Sequence, residues 1–241
     1  MATIEQNGWA DSAEAWIRAV DEGDPSRSLI LDPPMLALFE GAAGEYVLDV
    51  GCGEGRFCRM LSTLGMRTTG IDPTGRLLEE ARLRHPEGAY VEGSAEDMPF
   101  ESASFDRVVS YVSLVDIPDH RAAIREMARV LRPGGLLVVA NLNSFVTAQP
   151  WGWIRDEDGS PMHYPLDEYG FEHAEWVSWK GIKILNWHRP LSEYMAAFLA
   201  ENLILKSYAE PHPSADALAR DPSLHKDIRV PLFNIAVWRK P

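Results

Sequence analysis

Apolar and polar positions alternate along this chain in two different periods, and the switches between them mark out its elements. Residues 11–20, DSAEAWIRAV, predict an amphipathic helix with Asp11 as N-cap, Glu14 three residues on, and Trp16, Ile17 and Val20 along one face. DEGDPSR breaks it, and a short helix, MLALFE, follows Pro33-Pro34. Gly41 and Gly44 then lead into the apolar run YVLDV at 46–50, which reads as a buried strand. A regular rhythm follows: GCGEGR, a helix with Phe57, Met60, Leu61 and Leu64 at helical spacing, a strand near MRTTGID, a helix at 75–85 and a short strand AYVE. After a loop containing MPF come the strand FDRVVSY at 105–111, a helix from about 119 to 131, Pro133-Gly134-Gly135 and the strand LLVVANL. Five strands separated by helices predict an α/β fold with a doubly wound parallel sheet covered on both faces.

The rhythm stops after residue 142. Between 150 and 190 lie Trp151, Trp153, Tyr164, Tyr169, Trp176, Trp179 and Trp187, with many turn residues among them. It then resumes with a helix in PLSEYMAAFLAEN, a strand in LILKSYAE, a Pro-rich loop at 211–229 and a last strand in VPLFNIAVWRK. The reading is one domain over 1–241, with residues 1–40 as an N-terminal helical cap and 142–190 as an aromatic-rich insertion after the fifth strand.

Composition narrows the function classes. Of the residues, 46% are apolar and 24% charged, and no stretch approaches the roughly 18 continuous apolar residues of a membrane span. The 23 Lys and Arg against 36 Asp and Glu give a net charge of −13, which disfavours a nucleic-acid partner because phosphate binding needs clustered cations. No apolar stretch follows a basic one near the first residue, so a cytoplasmic protein is expected. Two cysteines, Cys52 and Cys58, are too few for a disulfide framework and lack the neighbours of a metal site.

The chemistry concentrates where the first strand ends. Gly51, Gly53 and Gly55 stand between a buried strand and a helix start, where missing side chains let the backbone turn sharply and approach a ligand. Asp49 precedes them, and Asp72 ends the next strand at a spacing suited to ribose hydroxyls. Arg56 stands where a dinucleotide fingerprint needs its third Gly or Ala, so a nucleotide-dependent oxidoreductase is the poorer reading. Together with GIDPT at 70–74, GSAEDMPF at 93–100, SFDRVVSYVSLVDIPD and REMARVLRPGGLLVV, the run VLDVGCGEGRF resembles, in order, the motifs of class I S-adenosylmethionine-dependent methyltransferases over about residues 45–142.

That resemblance implies a seven-stranded, mostly parallel Rossmann-like sheet and S-adenosylmethionine as cofactor. It implies that the backbone at Gly51 and Gly53 approaches the methionine part, that Asp49 meets its ammonium group or orders the loop, and that Asp72 accepts the ribose hydroxyls. Ala95 would offer its amide to adenine, with Ile71 and Met98 on either side of the ring. Family members commonly carry Asp where Ser94 stands, so that contact weakens here or passes to Glu96. The backbone near Tyr111 would line the reaction centre, while Trp16 and Arg27 would close the pocket, Arg27 facing the methionine carboxylate.

Methyl transfer to a nucleophile needs alignment and exclusion of water more than a reactive side chain, and a base only for a protonated acceptor. The candidates are Tyr111, His163 and His188, with His120 and the Glu210-Pro211-His212 turn behind them. HRPLS at 188–192 resembles a stretch found in small-molecule members of the family, and it equally serves to tie the insertion to the sheet. Trp151, Trp153, Tyr164 and Trp179 suggest an apolar lid over an acceptor pocket. The expected acceptor is a small aromatic or apolar molecule, modified at oxygen or nitrogen. The alternative outside enzymology is a binding module that keeps the nucleotide pocket without turnover.

Overall fold

A computed structural model describes residues 7–149 and 152–241. The helix α1 (Trp9–Glu22) starts earlier than its cap signal suggested: Gly8 precedes it without a side-chain cap, and Asp11 lies inside the first turn, where its charge meets the positive end of the helix. A π-helical turn, Ser26–Leu31, occupies part of the expected break and runs straight into α2 (Asp32–Ala37).

The central alternation is β1 (Tyr46–Val50), α3 (Arg56–Thr63), β2 (Arg67–Asp72), α4 (Gly75–Arg84), β3 (Ala89–Glu92), β4 (Phe105–Tyr111), α5 (His120–Val130) and β5 (Leu131–Leu142). Beyond β5 lie α6 (Ser144–Thr147), the short strands β6 (Ile154–Arg155) and β7 (Pro161–His163), and the longer β8 (His173–Trp179) and β9 (Ile182–His188). The chain ends with α7 (Leu191–Ala200), β10 (Ile204–Ala209), α8 (Ala215–Arg220), α9 (Lys226–Arg229) and β11 (Phe233–Arg239). One seven-stranded sheet has the order β10-β11-β5-β4-β1-β2-β3, parallel except for β11, which runs antiparallel to both its neighbours.

Side-chain alternation divides the core between the two faces of the sheet. Leu48, Val50 and Val108 pack with Ile124 and Met127 of α5 and with Phe198 of α7, whereas Val47, Val109 and Val138 pack with Phe39, Phe57 and Leu61. Burial on both faces explains why the central strands read as near-continuous apolar runs.

Two stretches differ from the sequence reading. The turn-rich 142–190 segment contains two antiparallel hairpins, β6–β7 and β8–β9, the second closed by Lys180 and Gly181 at φ 46° and 81° as a two-residue hairpin turn requires. The Pro-rich stretch 211–229 holds α8 and α9, with the Ser214 side chain accepting from the Ala217 amide to cap α8. The β8–β9 hairpin docks on α1, where Ser12 Oγ both donates to the Lys183 carbonyl and accepts from its amide at 3.0 Å, and the Leu185 amide donates to Asn7 O at 2.9 Å. Among the described residues no helix is long and apolar enough to cross a membrane.

Candidate functional site

Strand order reverses between β1 and β4, and a cavity of about 440 Å³ opens at the C-terminal ends of these strands and β2, the place where open α/β sheets take ligands. Gly51 lines it at φ 74°, and a Cβ there would fall 2.4 Å from the Ser113 Cβ. Gly53, at φ 55°, has room for a Cβ, which would meet Trp16 Nε1 at 3.6 Å and Leu77 at 4.0 Å in ordinary contact. Asp72 holds this turn. Its Oδ2 accepts from the Gly53 amide at 2.9 Å and its Oδ1 from the Thr74 amide at 2.8 Å, and burial raises its pKa. Asp49 accepts from the Cys58 thiol at 3.4 Å on one oxygen while Oδ1 has no protein partner, and burial pushes its carboxyl up to about 7. A buried, unsatisfied carboxylate oxygen in a cavity wall suits a cationic ligand group, which would restore its charge.

Ile71, Ser94, Ala95 and Glu96 form a second part of the wall. Ser94 Oγ donates to the Glu96 carboxylate and accepts from the Glu96 amide at 3.1 Å. Met98 is elsewhere. Its amide is held by Glu126 at 2.9 Å, and its side chain, 3% exposed, packs in the core with Leu48, Ile71 and Phe105, so the ring sandwich drawn from Ile71 and Met98 loses its second side.

The N-terminal elements reach the same space. The Arg27 guanidinium lies 4.8 Å from the Trp16 ring centre and 5.6 Å from that of Tyr111, all three in the wall, and Trp16 Nε1 donates to Glu54 at 3.2 Å. Tyr111 donates its hydroxyl to Asp32 at 2.6 Å, and Arg56 pairs with the same carboxylate. The residue that breaks the dinucleotide fingerprint therefore fastens α2 to the glycine turn. Burial first, then the Asp32 charge, push the Tyr111 phenol above its ordinary range, which keeps it a donor and unsuits it as a base.

Neither histidine candidate lines the cavity. His188 is buried with Nδ1 bonded to Thr147 Oγ1 at 2.9 Å and Nε2 to the Tyr169 carbonyl at 3.0 Å, while His163 is exposed on β7. His120, Glu210 and His212 also lie outside it. Of the lid residues, Trp179 joins the wall, Trp153 and Tyr164 pack edge to face on each other away from it, and Trp151 falls outside the described residues.

In place of the histidines the wall contains Asp116, Asn186 and, from the β8–β9 hairpin, Val177 and Ile184. Asp116 ends a 3₁₀ turn, Leu114–Asp116, just beyond β4, and Asn186 Nδ2 donates to its Oδ1. The only signal available in the sequence was an acid just past the end of a central strand. Arg189 fixes the turn from behind: fully buried, it donates to the carbonyls of Ile117 and Pro118 at 2.8 Å each and pairs with Glu172 at 2.8 Å. Arg189 thus ties the 142–190 segment to the loop that follows β4.

Residues 48–139 match the methyltransferase-domain family. An uncharacterised methyltransferase of Synechocystis is 33% identical over 161 residues, covering 64% of this chain and 72% of that protein. An O-methyltransferase of Aspergillus sclerotiorum is 38% identical over 113 residues, covering 44% of this chain and 43% of the relative. The chain spans only 40% to 52% of the length of three curated O-methyltransferases that it matches, this one among them. The solved S-adenosylmethionine-dependent methyltransferase of Mesorhizobium loti superposes with a TM-score of 0.79 over 91% of this chain and 99% of that one, at 24% identity, which shows a common fold.

Proposed function

The chain belongs to the class I S-adenosylmethionine-dependent methyltransferases, and on that premise we propose that it methylates an oxygen or nitrogen of a small aromatic or apolar molecule in the cytoplasm. The observation that carries the reading is one cavity whose wall joins two chemically different groups of residues. The first group is a glycine turn held by Asp72, an unpartnered Asp49 oxygen and the Ser94–Glu96 loop. The second is apolar: Leu142, Val177, Trp179, Ile184 and Phe233.

The residues of the first group suit the cofactor. The Gly51 and Gly53 backbone with Asp49 would hold its amino-acid part, Arg27 its carboxylate, Asp72 its ribose, and Ala95 with Ile71 its base. When bound, the cofactor supplies a methyl group on a positively charged sulfur. The chain's own contribution is to position that group and keep water away: α1 and the β8–β9 hairpin, bonded to each other through Ser12 and Lys183, cover the cavity, and the apolar side chains orient the acceptor. The O-methyltransferase name of the Aspergillus relative favours oxygen over nitrogen.

Calorimetric titration with S-adenosylmethionine, S-adenosylhomocysteine and NAD tests the reading at its base. Binding of the first two and not of NAD is expected, followed by transfer of labelled methyl to members of an aromatic acceptor library. Tight NAD binding with none for the sulfonium compound would overturn it.

A further inference from the structure

Asp116 is the one carboxylate of the cavity wall that stands between the two covering elements and the end of β4. Asn186 of β9 donates to its Oδ1, and the Trp9 indole of α1 is a further donor. Its turn cannot drift, because Arg189 binds the carbonyls on its far side. The apolar side chains Val177, Trp179 and Ile184 of the wall belong to the same hairpin as Asn186. We propose that Asp116 is the proton acceptor for the incoming substrate, and that the substrate is a phenol or enol whose hydroxyl faces Asp116 while its ring lies against the β8–β9 hairpin. The inference rests on the methyltransferase reading and adds to it the reacting group and the base.

The step balances without another reagent. As the hydroxyl oxygen forms its bond to the methyl carbon, its proton passes to an Asp116 oxygen. The carbon–sulfur bond breaks with its electron pair staying on sulfur, so the sulfonium charge is discharged. A proton later leaves Asp116 for water.

The class of hydroxyl follows first from the wall, where Val177, Trp179 and Ile184 offer an apolar surface for a ring, and the environment of the carboxylate agrees. Burial raises Asp116 to about 7, the nearby Asp72 charge adds to this, and Arg27 with the Asn186 and Trp9 donors pulls the other way. Behind the turn sit the Arg189–Glu172 pair and His120, the latter lowered to about 4 by burial and by Arg189 and therefore neutral. A base near 7 matches the proton of a phenol, which ionises near about 10 as tyrosine does. An aliphatic alcohol, far less acidic, is a poor match.

The test compares wild type with Asp116→Asn, whose remaining carbonyl oxygen still accepts from Asn186. Both are titrated with S-adenosylhomocysteine, then with 4-nitrophenol in the presence of that product, its absorbance reporting the bound ionisation state. Methyl transfer to phenol and to 4-nitrophenol is then followed from about pH 5.5 to about pH 9. Wild type should methylate phenol at a rate that rises with pH through about 7 and levels off. The variant should bind the product within about threefold of wild type, lose about 10²- to 10⁴-fold on phenol and lose the pH limb. On 4-nitrophenol, ionised without help at about pH 9, it should lose less than about tenfold. A purely structural role would depress both acceptors alike. If the variant does not fold, the wild-type pH limb and a solvent isotope effect on phenol decide. Equal losses on the two acceptors, an unchanged limb, or no binding of either phenol by a protein that binds S-adenosylhomocysteine would each overturn the assignment. Failure of wild type to bind S-adenosylhomocysteine would instead remove the methyltransferase reading beneath it.

Discussion

Replacing Asp72 should damage cofactor binding in a way set by what its carboxylate already does. Each oxygen accepts one backbone amide, Gly53 N at 2.9 Å and Thr74 N at 2.8 Å, before any ligand arrives. Hydrogen bonds to a charged group contribute about 1.5–3 kcal/mol each, so Asp72→Ala withdraws roughly 3–6 kcal/mol of support from the glycine turn, less what water returns. With about 1.4 kcal/mol per factor of ten, a loss of about 10²-fold or more in affinity for S-adenosylmethionine is expected. Asp72→Asn should do no better than Ala, because its NH₂ must face either the Gly53 or the Thr74 amide, donor against donor. Affinities of the three proteins by titration calorimetry, with denaturation curves beside them, decide the matter. If Asn restored more than about tenfold over Ala, or Ala lost less than about threefold, the two amide contacts would not be what holds the turn.

Arg189→Met keeps volume but leaves the Ile117 and Pro118 carbonyls and the exposed Glu172 without their partner; two hydrogen bonds from a buried charge are worth about 3–6 kcal/mol before water compensates, or up to about 24 °C in melting temperature at this size; a shift under about 2 °C in calorimetry would show that the clamp contributes little. Asp49, raised to about 7 by burial, stabilises the fold fully below the unfolded-state value of about 4, and that contribution is lost as pH rises through about 7. Asp49→Asn should therefore flatten the fall in denaturant midpoint across this window, and an unchanged slope would assign it to other groups. Trp179→Ala should spare cofactor affinity yet raise the acceptor KM, since Trp179 lines the cavity from the β8–β9 hairpin and not from the glycine turn; a parallel loss of cofactor binding on titration would mean that the hairpin also shapes the cofactor site.

How much of this was legible depends on how far apart in the chain the cooperating residues lie. The central strands and helices could be read because each is a local pattern: YVLDV and FDRVVSY are apolar on both faces since both faces are covered. Asp49, Gly51, Gly53 and Asp72 could be read for the same reason, standing at strand ends whose direction is set by the parallel sheet, and the structure brings all four to one cavity.

The hairpin side of the cavity wall was not legible. Strand β8 is exposed or half-buried at every position, so its alternation shows no apolar face and the hairpin was hidden among turn residues. Its inward residues are chosen by long-range contacts with α1, through Asn7, Ser12 and Lys183, which no local pattern encodes. His188 looked like chemistry and became a bonded core residue, whereas Asp116 drew no notice in the sequence, and it is Asn186 and Arg189, distant in the chain, that close around its turn. By itself the sequence determined the sheet and the glycine turn, because strand period, glycine conformation and strand-end acids act over a few residues. Only the tertiary structure decided which side chains form the second half of the cavity, because burial, which shifts a carboxylate and silences a histidine, is a property of everything packed around a group.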